Sequence, residues 1–228
     1  MTSKGLYCPA GQFYIDPSRA VECAVITHAH SDHARKGSQL YYCVDSGVSL
    51  LKTRIGNNIS VSPHAYSEIF EINGVNVSFH PAGPILGSSQ VRLELNGEVW
   101  GASGDYKREK DPTCEPFEVV TCDVFVTEAT FGTPGFAWNH PSATAINDCY
   151  RAHGVPMAPT RCLSRVESDR VLTGELFIVP HGGYDHGFLM SDHADWNELV
   201  CMILETKAKK AFVQHRGKGA LVKHLSLF

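Results

Sequence analysis

The sequence predicts an α/β fold on three observations. Short apolar or alternating runs of strand length recur through its first half, and helical spacing of apolar residues appears over Ser46 to Ile55 and again ahead of Glu205. The third is a histidine-rich stretch placed directly after one of the strands. Thr27-His28-Ala29-His30-Ser31-Asp32-His33-Ala34 packs three imidazoles and a carboxylate into six consecutive positions, and it follows the apolar run Glu22-Cys23-Ala24-Val25-Ile26. In an extended segment His28 and His30 project to one side, while Asp32 and His33, past a bend, reach a second centre. Imidazole nitrogen with carboxylate oxygen suits zinc, manganese or iron, and a two-metal site can hold both an attacking water and a leaving group.

Taken in order, residues 11 to 16 and 22 to 27 read as strands joined by the turn-rich link Pro17-Ser18-Arg19-Ala20. Asp16 ends the first of them beside the histidine-rich stretch. Gln39 to Val44 reads as a strand, and Ser46 to Ile55 as a helix with Val48, Leu51 and Ile55 on one face and Gly56-Asn57 as its stop. His64 lies in a polar segment and reads as a surface residue. Gly74 to His80 alternates as a half-buried strand does and runs into Pro81-Ala82-Gly83-Pro84-Ile85-Leu86-Gly87. Ser89 to Leu95 and Gly97 to Ala102 make a hairpin around the turn pair Asn96-Gly97, and the second strand ends at Ser103-Gly104-Asp105. Asp123 to Thr127 is a buried strand followed by Glu128.

From Phe131 to Leu189 the chain is rich in Pro and Gly, with one helix expected over Ala143 to His153 and one strand over Glu175 to Val179. His140, His153, His181 and His186 read as loop histidines. Asp195 with Glu198 three residues on reads as a capping box opening a helix to Glu205, whose buried face carries Leu199, Met202 and Ile203. Ala211 to Gln214 is a last strand ending at His215, and Ala220 to Leu225 a closing helix.

The HxHxDH pattern after a strand resembles the metallo-β-lactamase fold superfamily. Gly5-Leu6-Tyr7-Cys8-Pro9, Phe13-Tyr14-Ile15-Asp16-Pro17, Gly104-Asp105-Tyr106-Lys107-Arg108-Glu109, Thr127-Glu128-Ala129-Thr130 and Ser191-Asp192-His193-Ala194-Asp195-Trp196 narrow the match. They are similar to the ligase-associated DNA exonuclease group of the β-CASP nucleases, the branch that also holds the mRNA 3′-end processing endonucleases. The likeness covers most of residues 5 to 136 and 187 to 225 and is thinner between. It implies an αββα sandwich formed by residues 1–137 and 187–228, with 138–186 as a shortened β-CASP-like cap.

The resemblance also implies a site. His28, His30 and Asp105 would hold a first divalent metal, and Asp32, His33, Asp105 and His215 a second, with Asp105 shared; zinc is the expected ion and manganese the alternative. Asp16 would orient the metal loop through hydrogen bonds. Glu128 would pair with His193, the acid for the leaving group, and Asp32 counts with them among the catalytic residues. The implied reaction is phosphodiester hydrolysis of DNA, or of RNA, near single-stranded ends, with a DNA ligase or helicase as partner.

Two loops depart from the family. Its loop Ala-Gly-His-x-Leu-Gly supplies a third imidazole to the first metal, and here that position is Pro84, which has no donor atom. A weakened first site and impaired activity are the expectation. His80 lies roughly 13 Å of extended chain from position 84 at ~3.3 Å per residue, too far to stand in without refolding the loop. The family's Thr-His-Gly at the last ligand is Gln214-His215-Arg216 here, which keeps the imidazole and loses the glycine of the turn.

With 228 residues the chain is long enough for a sizeable core, and 43% apolar with 19% charged residues is ordinary for a globular protein. No apolar run reaches the ~20 residues of a membrane span, and the N-terminus lacks a signal-peptide core, so a cytoplasmic location is expected. Eight scattered cysteines without a CxxC pair suggest reduced thiols. A net charge of −4 is an unusual balance for a nucleic-acid enzyme, offset by the metals and by small basic clusters at Lys107-Arg108-Lys110, Arg161/Arg165 and Lys207/Lys209-Lys210, which read as solvated faces. Two other classes stay open: a small-molecule hydrolase of the same fold, and a nucleic-acid-binding homologue with a decayed site, the latter motivated by Pro84 and the shortened cap.

Overall fold

The computed structural model describes residues 2–83, 85–110, 114–135, 175–178, 186–189, 193–214 and 218–227. Leu6–Cys8 (β1), Phe13–Ile15 (β2), Cys23–Val25 (β3), Leu40–Val44 (β4) and Val61–His64 (β5) form one sheet in that order, antiparallel at β1/β2 and parallel thereafter. Phe70–Ile72 (β6), Val75–Pro81 (β7), Ser89–Leu95 (β8) and Glu98–Ala102 (β9) make an antiparallel run. Val124–Thr127 (β10) extends it in parallel with β9. Glu175–Ile178 (β11) and His186–Leu189 (β12) pair with each other as an antiparallel ribbon, and Lys210–Val213 (β13) closes the second sheet in parallel beside β10. The helices are Val48–Ile55 (α1), Trp196–Glu205 (α2) and Lys218–Leu225 (α3).

Side-chain alternation along the strands fixes how these layers stack. Phe13, Ile15, Val25 and Val44 of the first sheet meet Val75, Val77, Phe79, Val91, Ala102 and Val126 of the second in one buried cluster. The residues between them point the other way. Ala24, Tyr41 and Cys43 turn outward onto Leu51, Val48 and Ile55 of α1, whereas Phe125 turns onto Leu199, Met202 and Ile203 of α2 and Leu221 of α3. Two sheets face to face with helices outside both is an αββα sandwich. Each large side chain buried in these layers contributes on the order of 1.5–3 kcal/mol.

α2 begins where the sequence places it. Glu198 N donates to Asp195 Oδ1 (3.0 Å) and Asp195 N to Glu198 Oε2 (3.2 Å), so both partners of the capping box are engaged. In the hairpin turn Asn96 and Gly97 both take positive φ (52° and 80°), the conformation that Asn-Gly supplies at least cost. The expected helix over 46 to 55 divides into a 3-10 turn at Asp45–Gly47 and α1. β1, β5, β6 and β12 have no counterpart in the sequence reading, and His186, expected in a loop, opens β12 opposite Ile178 of β11. β5 carries Pro63, which a strand tolerates at a sheet edge, and β5 is the last strand of its sheet.

His64, expected at the surface, is half-buried. Its ring stacks on Phe70 at 3.6 Å between centroids and bonds Ser62 and Glu68. The helix expected over 143 to 153 lies outside the described residues. No helix among those described is long and apolar enough to cross a membrane.

Candidate metal centre

β2, β3, β9 and β10 run so that the residues after them meet at one end of the sandwich: Asp16 after β2, Thr27 to Ala34 after β3, Asp105 after β9 and Glu128 after β10. Crevices at the carboxyl ends of parallel strands are where such folds place their chemistry. At the centre is Asp105, 3% exposed. Three imidazoles face its Oδ2: His33 Nε2 at 3.2 Å, His28 Nε2 at 3.4 Å and His193 Nε2 at 3.8 Å. His28, His30 and Asp105 offer donor atoms that all lie within 4.8 Å of one another, as do Asp105, Glu128 and His193.

The histidine loop is held from several sides. His33 N and Ala34 N both donate to His30 O, Arg54 Nε of α1 donates to Ala29 O, and Ser89 donates to Thr27 O through both its N and Oγ. Asp16 adopts a left-handed φ of +44°, which a short polar side chain tolerates. From there its carboxylate accepts from Thr27 N (2.8 Å) and Thr27 Oγ1 (2.6 Å) and meets His33 Nδ1 (2.8 Å). Gly104 brings the Asp105 loop against this assembly. A Cβ at position 104 would sit 2.7 Å from Thr27 Oγ1, and its φ is +57°, so glycine is needed there on both counts.

Burial by itself would lower the His33 pKa, but Asp16 and Asp105 outweigh it and hold the imidazole up at about 11. Burial would likewise raise the Asp105 carboxyl, and the His28 and His33 imidazoles overcome that and keep it well below the usual carboxylate range. Two atoms in this charge cluster, His28 Nε2 and Asp105 Oδ1, are buried without a hydrogen-bond partner. Buried polar atoms are seldom left so. A divalent cation among His28, His30 and Asp105 would give both a partner, and a set of imidazole and carboxylate donors suits such an ion.

On the other side of Asp105, Glu128 Oε1 lies 3.3 Å from His193 Nδ1, and Thr130 N donates to Glu128 Oε2 at 2.8 Å. The edge of this pair is closed by Phe131, whose ring meets that of His193 edge-on.

Among the residues expected from the sequence, His28, His30, His33, Asp105, Glu128 and His193 therefore come together. Asp32 stands at the rim, its side chain 56% exposed and 3.7 Å from His33 Nε2. His215 and Pro84 lie outside the described residues. His80 is engaged elsewhere, with Glu118 at 3.2 Å and Ser78 at 3.0 Å. Thr27 was missed by sequence reasoning; its position next to His28, ahead of the motif, is the only signal it gives.

An αββα sandwich that folds HxHxDH from one sheet onto a buried carboxylate from the other decides the fold family. The chain has the metallo-β-lactamase fold. No family model matches it. It is similar to a protein named probable DNA ligase from Opitutus terrae, 31% identical over 150 residues, which is 64% of this chain and 14% of that one. It is also similar to proteins named endoribonuclease YSH1, from Yarrowia lipolytica (34% identical over 70 residues, 30% of this chain, 8% of that one) and Kluyveromyces lactis (36% over 70 residues, 30% and 9%). The chain thus spans a small part of the curated relatives it matches. Solved structures with partial likeness include zinc-bound PqqB from Methylobacterium extorquens (TM-score 0.35, 12% identity, 46% of this chain and 44% of that one). Another is the metallo-β-lactamase fold protein YhfI from Bacillus subtilis (TM-score 0.35, 10% identity, 47% and 49%).

Proposed function

We propose that this metallo-β-lactamase-fold chain is a metal-dependent phosphodiesterase acting on DNA, or on RNA, at single-stranded ends, with a first metal site weakened by Pro84. The observation that carries the reading is the position of Asp105 between two groups of donors, His28 with His30 on one side and Glu128 with His193 on the other. The relatives named DNA ligase and endoribonuclease point to nucleic acid as the substrate class.

In this reading His28, His30 and Asp105 hold one ion, and Asp32, His33, Asp105 and His215 a second; zinc is the first choice and manganese the alternative. When bound, the ions would stabilise charge on the phosphoryl oxygens and activate water for attack. The chain's own part in bond breaking falls to His193. Glu128 meets its Nδ1 and fixes the ring, so that Nε2 is turned to hand a proton to the departing 3′ oxygen. Asp16, outside the donor set, aims His33. Residues 1–137 and 187–228 are assigned to the catalytic domain and 138–186 to a reduced β-CASP-like cap, in a cytoplasmic protein that works beside a ligase or helicase.

The test is end-labelled single-stranded DNA and RNA incubated with the purified protein and zinc or manganese, with and without chelator. Chelator-sensitive shortening of either strand is the expected result. Pro84 favours a second reading, a nucleic-acid-binding homologue without activity. Binding that persists in Asp32→Ala and Asp105→Ala variants, with no cleavage by the parent at any metal concentration, would replace the first reading with the second.

A further inference from the structure

The hydrogen bonds behind the histidine loop assign a role to a residue outside the donor set. We propose that Thr27 is a positioning residue whose hydroxyl links Asp16 to His28, so that the carboxylate that orients the His33 ring also orients the His28 ring and places a proton on its Nδ1. The inference rests on the metal-centre reading above and adds a residue to it.

Counting protons settles the direction of each bond. Thr27 Oγ1 lies 2.6 Å from Asp16 Oδ2, and an ionised carboxylate can only accept, so the single hydroxyl proton points at Asp16. Thr27 Oγ1 also lies 3.0 Å from His28 Nδ1. Having used its proton, the hydroxyl can only accept there, and Nδ1 must be the donor. With Nδ1 taken up by Thr27, Nε2 is the atom left for the site; it is buried, without a hydrogen-bond partner, and faces Asp105 Oδ2 at 3.4 Å. A shared proton or a cation is what such a nitrogen and carboxylate oxygen can hold between them. The same Asp16 Oδ2 meets His33 Nδ1 at 2.8 Å, which turns His33 Nε2 toward Asp105 in the same sense.

Thr27 is placed for this and little else. It is 1% exposed, its N is fixed by Asp16 Oδ1 and its O by Ser89, and the missing side chain of Gly104 leaves room for its hydroxyl and methyl. Groups that orient a ligand through its far ring nitrogen change metal affinity by about ten- to a hundred-fold when removed. Serine retains the hydroxyl; valine retains the shape without it.

The experiment reads the ring directly. In metal-free, ¹⁵N-histidine-labelled protein at neutral pH, two-bond ¹⁵N–¹H spectra distinguish a ring protonated at Nδ1 from one protonated at Nε2. The parent is expected to show His28 in the Nδ1–H form; a parent spectrum with the proton on Nε2 alone overturns the proposal without any variant. Thr27→Val is expected to lose that signature and to weaken cobalt or zinc binding about ten- to a hundred-fold, and Thr27→Ser to restore both. Unchanged affinity and an unchanged His28 spectrum in folded Thr27→Val overturn it as well. Because the tautomer is read without metal and without substrate, absence of nuclease activity would count against the proposed function while leaving the role of Thr27 to be decided by the spectrum.

Discussion

Glu128 Oε1 and His193 Nδ1 lie 3.3 Å apart, with side chains 1% and 12% exposed. One oxygen of this enclosed carboxylate accepts from Thr130 N, and the other is left to hold the imidazole in place. His193→Ala and Glu128→Gln are therefore expected to lower the cleavage rate by about 10²- to 10⁴-fold, the range for loss of a positioned acid. Metal content should stay at the parent's value. Loss of bound metal in His193→Ala, read by elemental analysis, would instead make that imidazole a ligand.

Position 84 gives a second prediction. With proline in place of a donor, the parent is expected to hold fewer than two metals tightly, and Pro84→His to hold two. Metal-to-protein stoichiometry after desalting decides it. Two tightly held ions in the parent would mean that the remaining donors suffice.

The cap of α2 can be tested apart from any chemistry. Asp195→Ala removes the acceptor for Glu198 N and should cost about 1 kcal/mol of stability in denaturant titrations. Glu198→Ala removes the reciprocal bond, and the double variant should cost less than the sum, since the two bonds belong to one unit. Strict additivity would mean that the box does not act as a pair.

Thiol reactivity should separate sharply with position. Burial pushes the Cys43 thiol up to about 12, with Asp45 adding to the shift, and the Cys23 thiol up to about 11, whereas Cys201 is exposed on α2. Thiolate is the reactive form, so near pH 8 a water-soluble thiol reagent should label Cys201 and leave Cys23 and Cys43 untouched, with their labelling rising only as the pH approaches those values. Peptide mapping reads it. Early labelling of Cys43 would show that the layer under α1 opens readily.

Most of the strand skeleton was legible because it follows local rules: alternation in β7, the Asn96-Gly97 turn, the Asp195/Glu198 box. β1, β5, β6 and β12 were not: they are short segments whose extended form comes from pairing with neighbours in their sheets. His64 was misjudged because its burial comes from stacking on Phe70 and Tyr42, which the polar residues around it in sequence do not announce. At the site, the histidine stretch announces itself by being contiguous. Asp105, Glu128 and His193 are far apart in sequence and could be gathered only through family likeness. Thr27 carried no signal of its own, because the partners of its hydroxyl are set by the left-handed bend at Asp16 and by the space that Gly104 leaves.

Asp105 hangs from one sheet, and His28, His30 and His33 from the other. The site of His28, His30 and Asp105 therefore exists only as the fit between two halves that dock through their shared apolar layer. An ion held there would be a rivet through that joint. A chelator would then act on this chain as a mild denaturant, and a substitution deep between the sheets, far from any polar atom, would register first as a change in metal affinity.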